Sequence, residues 1–121
     1  FVARPRADDT IDAEELAARL GDPGLLVLDA RNPDRFAGEP GIDPVGGRIP
    51  GSRNLPYTDA RSMPADVLEA PELVVYCGSG VTACVDLLAL AERGRSDARL
   101  YPGSWSDWSA RNLPLERDEP Y

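Results

Sequence analysis

The chain has 121 residues, which suits one domain with a single hydrophobic core. Its 13 basic and 21 acidic residues give a formal net charge of −8, and so acidic a surface argues against nucleic acid and anionic membranes as partners. The chain contains no histidine, which removes the usual zinc sites, the Ser-His-Asp triad and the Cys-His dyad. We therefore expect no metal and no cofactor, and any nucleophile must be activated without a histidine base.

The two cysteines, Cys77 and Cys84, lie in one local segment, which does not resemble a disulfide framework. No stretch approaches the ~20 apolar residues that a membrane-spanning helix needs. No signal-peptide pattern precedes the first predicted element. These observations predict a reducing, cytoplasmic compartment.

Helix and strand signals alternate along the chain. Asp12 and Glu15 match a capping box, which predicts a helix that runs to about Leu20 and stops at Gly21. Short helical turns are expected within 33–36 and 64–70. The alternation predicts an α/β domain over 1–121 with a central, mainly parallel sheet and helices on both faces. Short apolar runs predict buried strands at 25–28 and 73–76. A further strand is expected at 98–101, and the end of a short strand at 54–56.

A longer helix is predicted between the third strand and Gly94. Apolar residues recur along it at helical spacing and are interpreted as its buried face. These residues are Val81, Cys84, Val85, Leu88 and Ala91. On this interpretation Cys84 packs in the core, and a role as a resolving thiol is the weaker alternative because the helix separates it from Cys77.

A tight turn, Cys77-Gly78-Ser79-Gly80, joins the strand at 73–76 to this helix. Ligands of open parallel sheets bind at the carboxyl ends of strands, where Cys77 falls. The two glycines let successive N–H groups point inward as an anion-binding nest, and the positive end of the helix points to the same place. A cysteine there is expected to have a lowered pKa, so Cys77 is the candidate nucleophile. Plain packing of a small residue is the weaker alternative.

The segment from Cys77 to Thr82 resembles the active-site loop of the rhodanese-like sulfurtransferases, in the variety usually associated with 3-mercaptopyruvate. Three other segments resemble the family in the same order, so the resemblance covers nearly the whole chain. These segments are 29–36, 47–56 and 101–108. The resemblance implies the family's three-layer sandwich and the catalytic, C-terminal-type domain of a protein that has an N-terminal rhodanese domain as well.

The resemblance also implies persulfide chemistry. Cys77 is expected to take sulfur from a small anionic donor, 3-mercaptopyruvate or thiosulfate, and to pass it to a thiol or cyanide acceptor. Arg35 falls where the family places an arginine that grips the donor, a role that suits a planar guanidinium. The backbone amides expected to cradle the charged sulfur are those of Gly78, Ser79, Gly80, Val81 and Thr82.

The chain departs from the family pattern in three places. Gly41 stands where many mercaptopyruvate-type members carry a second arginine, which predicts a weaker grip on the donor and activity with both donors. Arg48 replaces the histidine of the Gly-His-Ile-Pro-Gly-Ala motif, and the connector over 57–71 is shorter than usual.

Three alternative functions compete with sulfur transfer from a small donor. A phosphatase family with this fold uses a Cys-x5-Arg loop, but the sixth residue after Cys77 is Ala83, so the guanidinium that stabilises a transferring phosphoryl group is missing. A non-catalytic rhodanese-like binding module stays open, although such modules often lack the cysteine. A relay that receives its persulfide from another protein also stays open.

Overall fold

The fold is taken from a computed structural model that describes residues 9–78 and 81–118. Four parallel strands form one sheet in the order β2-β1-β3-β4. The strands are β1 Leu25–Asp29, β2 Arg53–Asn54, β3 Glu72–Tyr76 and β4 Arg99–Leu100. The helices are α1 Ala13–Ala18, α2 Pro33–Ala37, α3 Ala65–Leu68, α4 Ala83–Glu92 and α5 Ser104–Ala110, with a 3₁₀ segment over Tyr57–Ser62.

Helices cover both faces of the sheet, which confirms the predicted α/β architecture. Alternate residues of each strand point to opposite faces, so β3 sends Val74 and Tyr76 into one core cluster and Leu73 and Val75 into another. Leu16 of α1 and the two tryptophans of α5 pack in the first cluster. Residues of α3 and α4 pack in the second, which also contains Cys77. Trp105 and Trp108 are both fully buried in the first cluster.

Helix α1 begins as the capping pattern predicts. The Asp12 carboxylate accepts a hydrogen bond from the Glu15 amide at 2.8 Å. The Glu15 carboxylate does not fold back to complete the box, because it pairs with Arg99 at 3.1 Å. The helix ends at Ala18, two residues before the predicted end, and Gly21 follows in a left-handed conformation.

The buried face of α4 is not the predicted one. Val81, Leu88 and Val85 are 73%, 63% and 43% exposed, and Cys84 and Ala91 are exposed as well. The helix instead buries Ala83, Asp86 and Leu90. Apolar residues lie on all sides of this helix, so the sequence offers two faces of similar spacing that could be buried. The face that packs against the sheet contains Asp86, a residue that the hydrophobic pattern places in solvent. The prediction that Cys84 packs in the core was wrong.

Asp86 is fully buried, and neither carboxylate oxygen has a hydrogen-bond partner among the described residues. Burial, and secondly the charge of Asp29, raise the pKa of Asp86 to about 7. The native state therefore holds this proton more tightly than the unfolded chain, whose carboxyl has a pKa near 3.8. The contribution of this group to the free energy of unfolding is fully present below pH 3.8 and is lost as the pH rises through 7.

We expect Asp86→Asn to raise the free energy of unfolding at pH 8 by about 1–3 kcal/mol, because the variant buries no charge and is therefore the more stable protein. The difference should shrink towards zero at pH 4, where Asp86 is protonated. Urea unfolding at the two pH values measures it, with the exposed Glu69→Gln as control. A pH-independent difference would contradict this assignment.

No helix among residues 9–78 and 81–118 combines the length and the apolar character that crossing a bilayer requires. The same residues contain no cluster of carboxylates and thiols arranged to hold a metal ion.

Candidate active site

Cys77 directly follows β3, at the carboxyl edge of the sheet where the sequence places it. Its side chain is buried, with 1% of the residue exposed. Its amide donates to the Ser104 hydroxyl at 3.0 Å, and its carbonyl accepts from the Trp105 amide at 2.8 Å. These two contacts fix the backbone of Cys77 against the start of α5.

Ser104 is a neighbour of the thiol that the sequence did not identify as a site residue. It is fully buried, and its Oγ lies 4.0 Å from Cys77 Sγ and donates to the Tyr101 carbonyl at 3.0 Å. Its φ of 55° is a left-handed value that a non-glycine residue adopts only where the surroundings impose it. The sequence predicts a strand before each of these two residues but not that the two strands are neighbours, and this strand order is what brings Ser104 to Cys77.

The loop after Cys77 is described in part. The Gly78 carbonyl accepts from the Ser106 amide at 3.0 Å, and no described atom lies within 4 Å of the position that a Cβ on Gly78 would occupy. Val81 is exposed, and Thr82 is half-buried just before α4 without capping it through its side chain. Ser79 and Gly80 lie outside the described residues. The amide cradle that the sequence predicts over this loop therefore stays a prediction.

Arg35 lies in α2, beside the loop that follows this helix. Its Nε is 3.1 Å from Glu39 Oε2, and the other oxygen of that carboxylate accepts from the Gly41 amide at 2.8 Å. Gly41 has a φ of 61°, and a Cβ built on it would lie 2.0 Å from Arg35 Cζ. The Arg35 guanidinium therefore occupies the space of a side chain at position 41, which is where the family's second arginine would begin.

The loop that carries Gly41 is joined to the start of α5. Ser106 Oγ donates to Asp43 at 3.0 Å, and the Trp105 indole donates to the Val45 carbonyl at 2.9 Å. The same two residues of α5 bind the backbone of Cys77 and Gly78. The start of α5 thus binds the loop through its side chains and Cys77 and Gly78 through its backbone, which places the loop beside these two residues.

Asp29, the last residue of β1, and Arg31 form a buried ion pair that braces this arrangement. Asp29 is buried and accepts from the Arg31 amide at 2.9 Å and from its guanidinium at 2.7 Å. Arg31 also donates to the Gly47 carbonyl at 2.6 Å and lies 5.2 Å from the centre of the Trp105 ring. Burial works to lower the pKa of Arg31, but the hydrogen bond and charge of Asp29 outweigh it and raise that pKa. Arg31 therefore stays charged in its buried place.

Arg48, which replaces the motif's histidine, links α2 to the C-terminal segment through its side chain. Its guanidinium donates to the Phe36 carbonyl at 2.9 Å, lies 4.5 Å from the centre of the Phe36 ring and pairs with Asp118 at 2.9 Å. These contacts direct it to α2 and the C-terminal segment.

Comparisons with known proteins agree with the sequence motifs. The model of the Rhodanese-like domain family matches residues 12–111. The chain is 46% identical to a probable 3-mercaptopyruvate sulfurtransferase of Pseudomonas aeruginosa, over 89% of this chain and 44% of that protein. It is 39% identical to the 3-mercaptopyruvate sulfurtransferase of Escherichia coli K12, over 74% of this chain and 38% of that protein.

A crystal structure of a probable thiosulfate sulfurtransferase superposes with a TM-score of 0.74 at 37% identity, covering 96% of this chain and 51% of that one. The chain thus spans about half the length of this relative, and less than half of the two sulfurtransferases above.

Proposed function

The chain belongs to the rhodanese-like domain family, and from this we propose that it is a sulfurtransferase that carries sulfur as a persulfide on Cys77. The observation that supports the proposal most is the position of Cys77. Its thiol lies at the carboxyl edge of a parallel sheet, ahead of the ten-residue helix α4 and 4.0 Å from a buried hydroxyl. An anionic sulfur in this place faces the positive end of that helix.

The reaction has two halves. In the first, the Cys77 thiolate attacks the thiol sulfur of 3-mercaptopyruvate or the outer sulfur of thiosulfate, and a new S–S bond forms. The bond from that sulfur to the donor breaks, and its electron pair leaves with pyruvate enolate, which then takes a proton, or with sulfite. In the second, an acceptor thiolate or cyanide attacks the outer sulfur and releases the Cys77 thiolate.

The Ser104 hydroxyl has one hydrogen, which it gives to the Tyr101 carbonyl. Rotation about its C–O bond turns that hydrogen to the sulfur, while the oxygen keeps accepting from the Cys77 amide. In this proposal the hydroxyl stabilises the anionic sulfur of Cys77, together with the amides of Gly78, Ser79, Gly80, Val81 and Thr82.

The donor is proposed to be a small anion, 3-mercaptopyruvate in preference to thiosulfate. The described part of the loop carries compact, neutral groups, and Arg35 supplies the positive charge. The acceptor is proposed to be a small thiol or cyanide, and the rest of the protein to include a second domain of the same family. A relay that loads Cys77 from another protein's persulfide uses the same residues and differs in the donor.

Incubation with each donor, followed by mass spectrometry of the intact protein, tests the proposal. We expect a mass increase of one sulfur atom on Cys77 that disappears when a thiol acceptor is added. A protein that gains sulfur from a persulfide-loaded partner but from neither small donor supports the relay instead. Failure to gain sulfur from any of them contradicts sulfur transfer and leaves the non-catalytic module.

Arg35→Ala is expected to raise KM for both donors by about 10- to 100-fold with a smaller effect on kcat. The reason is the loss of a charge-assisted hydrogen bond of roughly 1.5–3 kcal/mol to the donor's anionic end. Steady-state kinetics with both donors measure it, and Arg61→Ala, which removes an exposed arginine of the 3₁₀ segment, is the control. An unchanged KM in the Arg35 variant would remove this residue from the site.

A further inference from the structure

The pairing of Arg35 with Glu39 leaves part of the guanidinium open. Glu39 contacts the Nε side at 3.1 Å, whereas the two terminal nitrogens donate no hydrogen bond to residues 9–78 and 81–118. The side chains of Arg35 and Glu39 are 33% and 45% exposed, so water and small solutes reach the pair. A donor anion that binds the terminal nitrogens therefore lies close to a fixed carboxylate.

The position of Glu39 is fixed by two contacts, one from each of its oxygens. The first is to Arg35, and the second is to the Gly41 amide at 2.8 Å. Because the guanidinium lies on Gly41, the loop also fixes the other side of the pair. The Glu39 carboxylate therefore has a defined position beside the guanidinium, and its negative charge acts on any anion that binds there.

We propose that Glu39 sets the charge preference of this site, favouring monoanionic sulfur donors over dianionic ones. This rests on the proposed function, in which Arg35 binds the donor. Arg35 and Glu39 together carry no net charge, so the pair attracts an anion through the hydrogen bonds of the guanidinium more than through its charge. The repulsion from Glu39 is proportional to the charge of the donor, and it is twice as large for thiosulfate, a dianion, as for the monoanion of 3-mercaptopyruvate.

The decisive variant is Glu39→Gln, which keeps the size of the side chain and an oxygen that accepts a hydrogen bond. For a half-exposed charge a few ångströms from the donor we expect kcat/KM to rise about 3-fold with 3-mercaptopyruvate and about 10-fold with thiosulfate. The ratio between the donors therefore shifts about 3-fold towards thiosulfate, and the shift becomes smaller at high salt because ions screen the carboxylate.

Glu69→Gln is the matched control. It makes the same change in net charge, but Glu69 is exposed at the end of α3, three residues before the amino end of β3, whereas Cys77 follows the carboxyl end of that strand. We expect it to leave the donor ratio unchanged. In an Arg35→Ala background Glu39→Gln should shift the ratio much less, since no guanidinium then holds the anion beside position 39. Equal gains with both donors, or a ratio that Glu69→Gln shifts as much, would overturn the proposal.

A binding measurement separates this proposal from sulfur transfer itself. In a Cys84→Ser background, sulfate and acetate are tested as dianion and monoanion for protection of Cys77 against iodoacetamide. We expect Glu39→Gln to strengthen protection by sulfate about 10-fold and by acetate about 3-fold. If the protein transfers no sulfur, the proposed function fails, while this measurement still decides the role of Glu39. Equal strengthening for the two anions rejects that role even in an active enzyme.

Discussion

Cys77→Ser is expected to abolish sulfur transfer from both donors, with a loss of at least about 10³-fold. A serine hydroxyl at this place is far less ionised and less nucleophilic than a thiol, and it forms no persulfide. The variant should keep the fold, because serine is close to cysteine in size and both backbone contacts of residue 77, to Ser104 and Trp105, are preserved. Steady-state rates and the far-ultraviolet circular dichroism spectrum measure the two effects.

Cys84→Ser is the matched control for this prediction. The structure places Cys84 on the exposed side of α4, whereas Cys77 is buried in the cluster between α4 and the sheet. The two thiols therefore face different surroundings, and we expect Cys84→Ser to keep most of the activity. If both variants lose activity equally, a relay between the two thiols must be reinstated.

The strands of the fold and the position of the candidate nucleophile could be predicted from the sequence. Short apolar runs bounded by turn residues predict β1 and β3 to within one residue at each end, and the glycine-containing turn after β3 marks Cys77 as the candidate nucleophile. The resemblance adds Arg35, whose side chain the structure places on Gly41. Both inferences depend on local features, which a single sequence contains.

The errors concern contacts between segments that lie far apart in the chain. The burial of α4 depends on how the helix is rotated against the sheet, and its apolar residues on all sides leave that rotation undecided until the sheet is present. The contact between Ser104 and Cys77 joins residues that follow two different strands, so it depends on strand order. Likewise, the exclusion of a side chain at position 41 follows from the rotamer of Arg35, which residue patterns do not specify.

Ser104→Ala is expected to lower kcat and to destabilise the protein. The change leaves the buried Cys77 amide without its acceptor, which costs about 1–3 kcal/mol of unfolding free energy. It also removes the hydroxyl whose oxygen lies 4.0 Å from the sulfur, and we expect kcat to fall about 10-fold as a result. This loss is smaller than the loss seen when a donor in direct contact with a developing anion is removed. Urea unfolding and single-turnover sulfur transfer measure the two effects.

Ser104→Gly separates the hydroxyl from the backbone conformation. Glycine adopts the φ of 55° without strain, whereas alanine pays about 1 kcal/mol for it. The glycine variant should therefore be more stable than the alanine variant and equally slow. Ser109→Ala, which removes a hydroxyl bound to the Trp105 carbonyl on the same helix, should keep the full rate. If Ser104→Gly regains the rate together with the stability, Ser104 acts on Cys77 through the backbone, and its hydroxyl has no part in holding the sulfur.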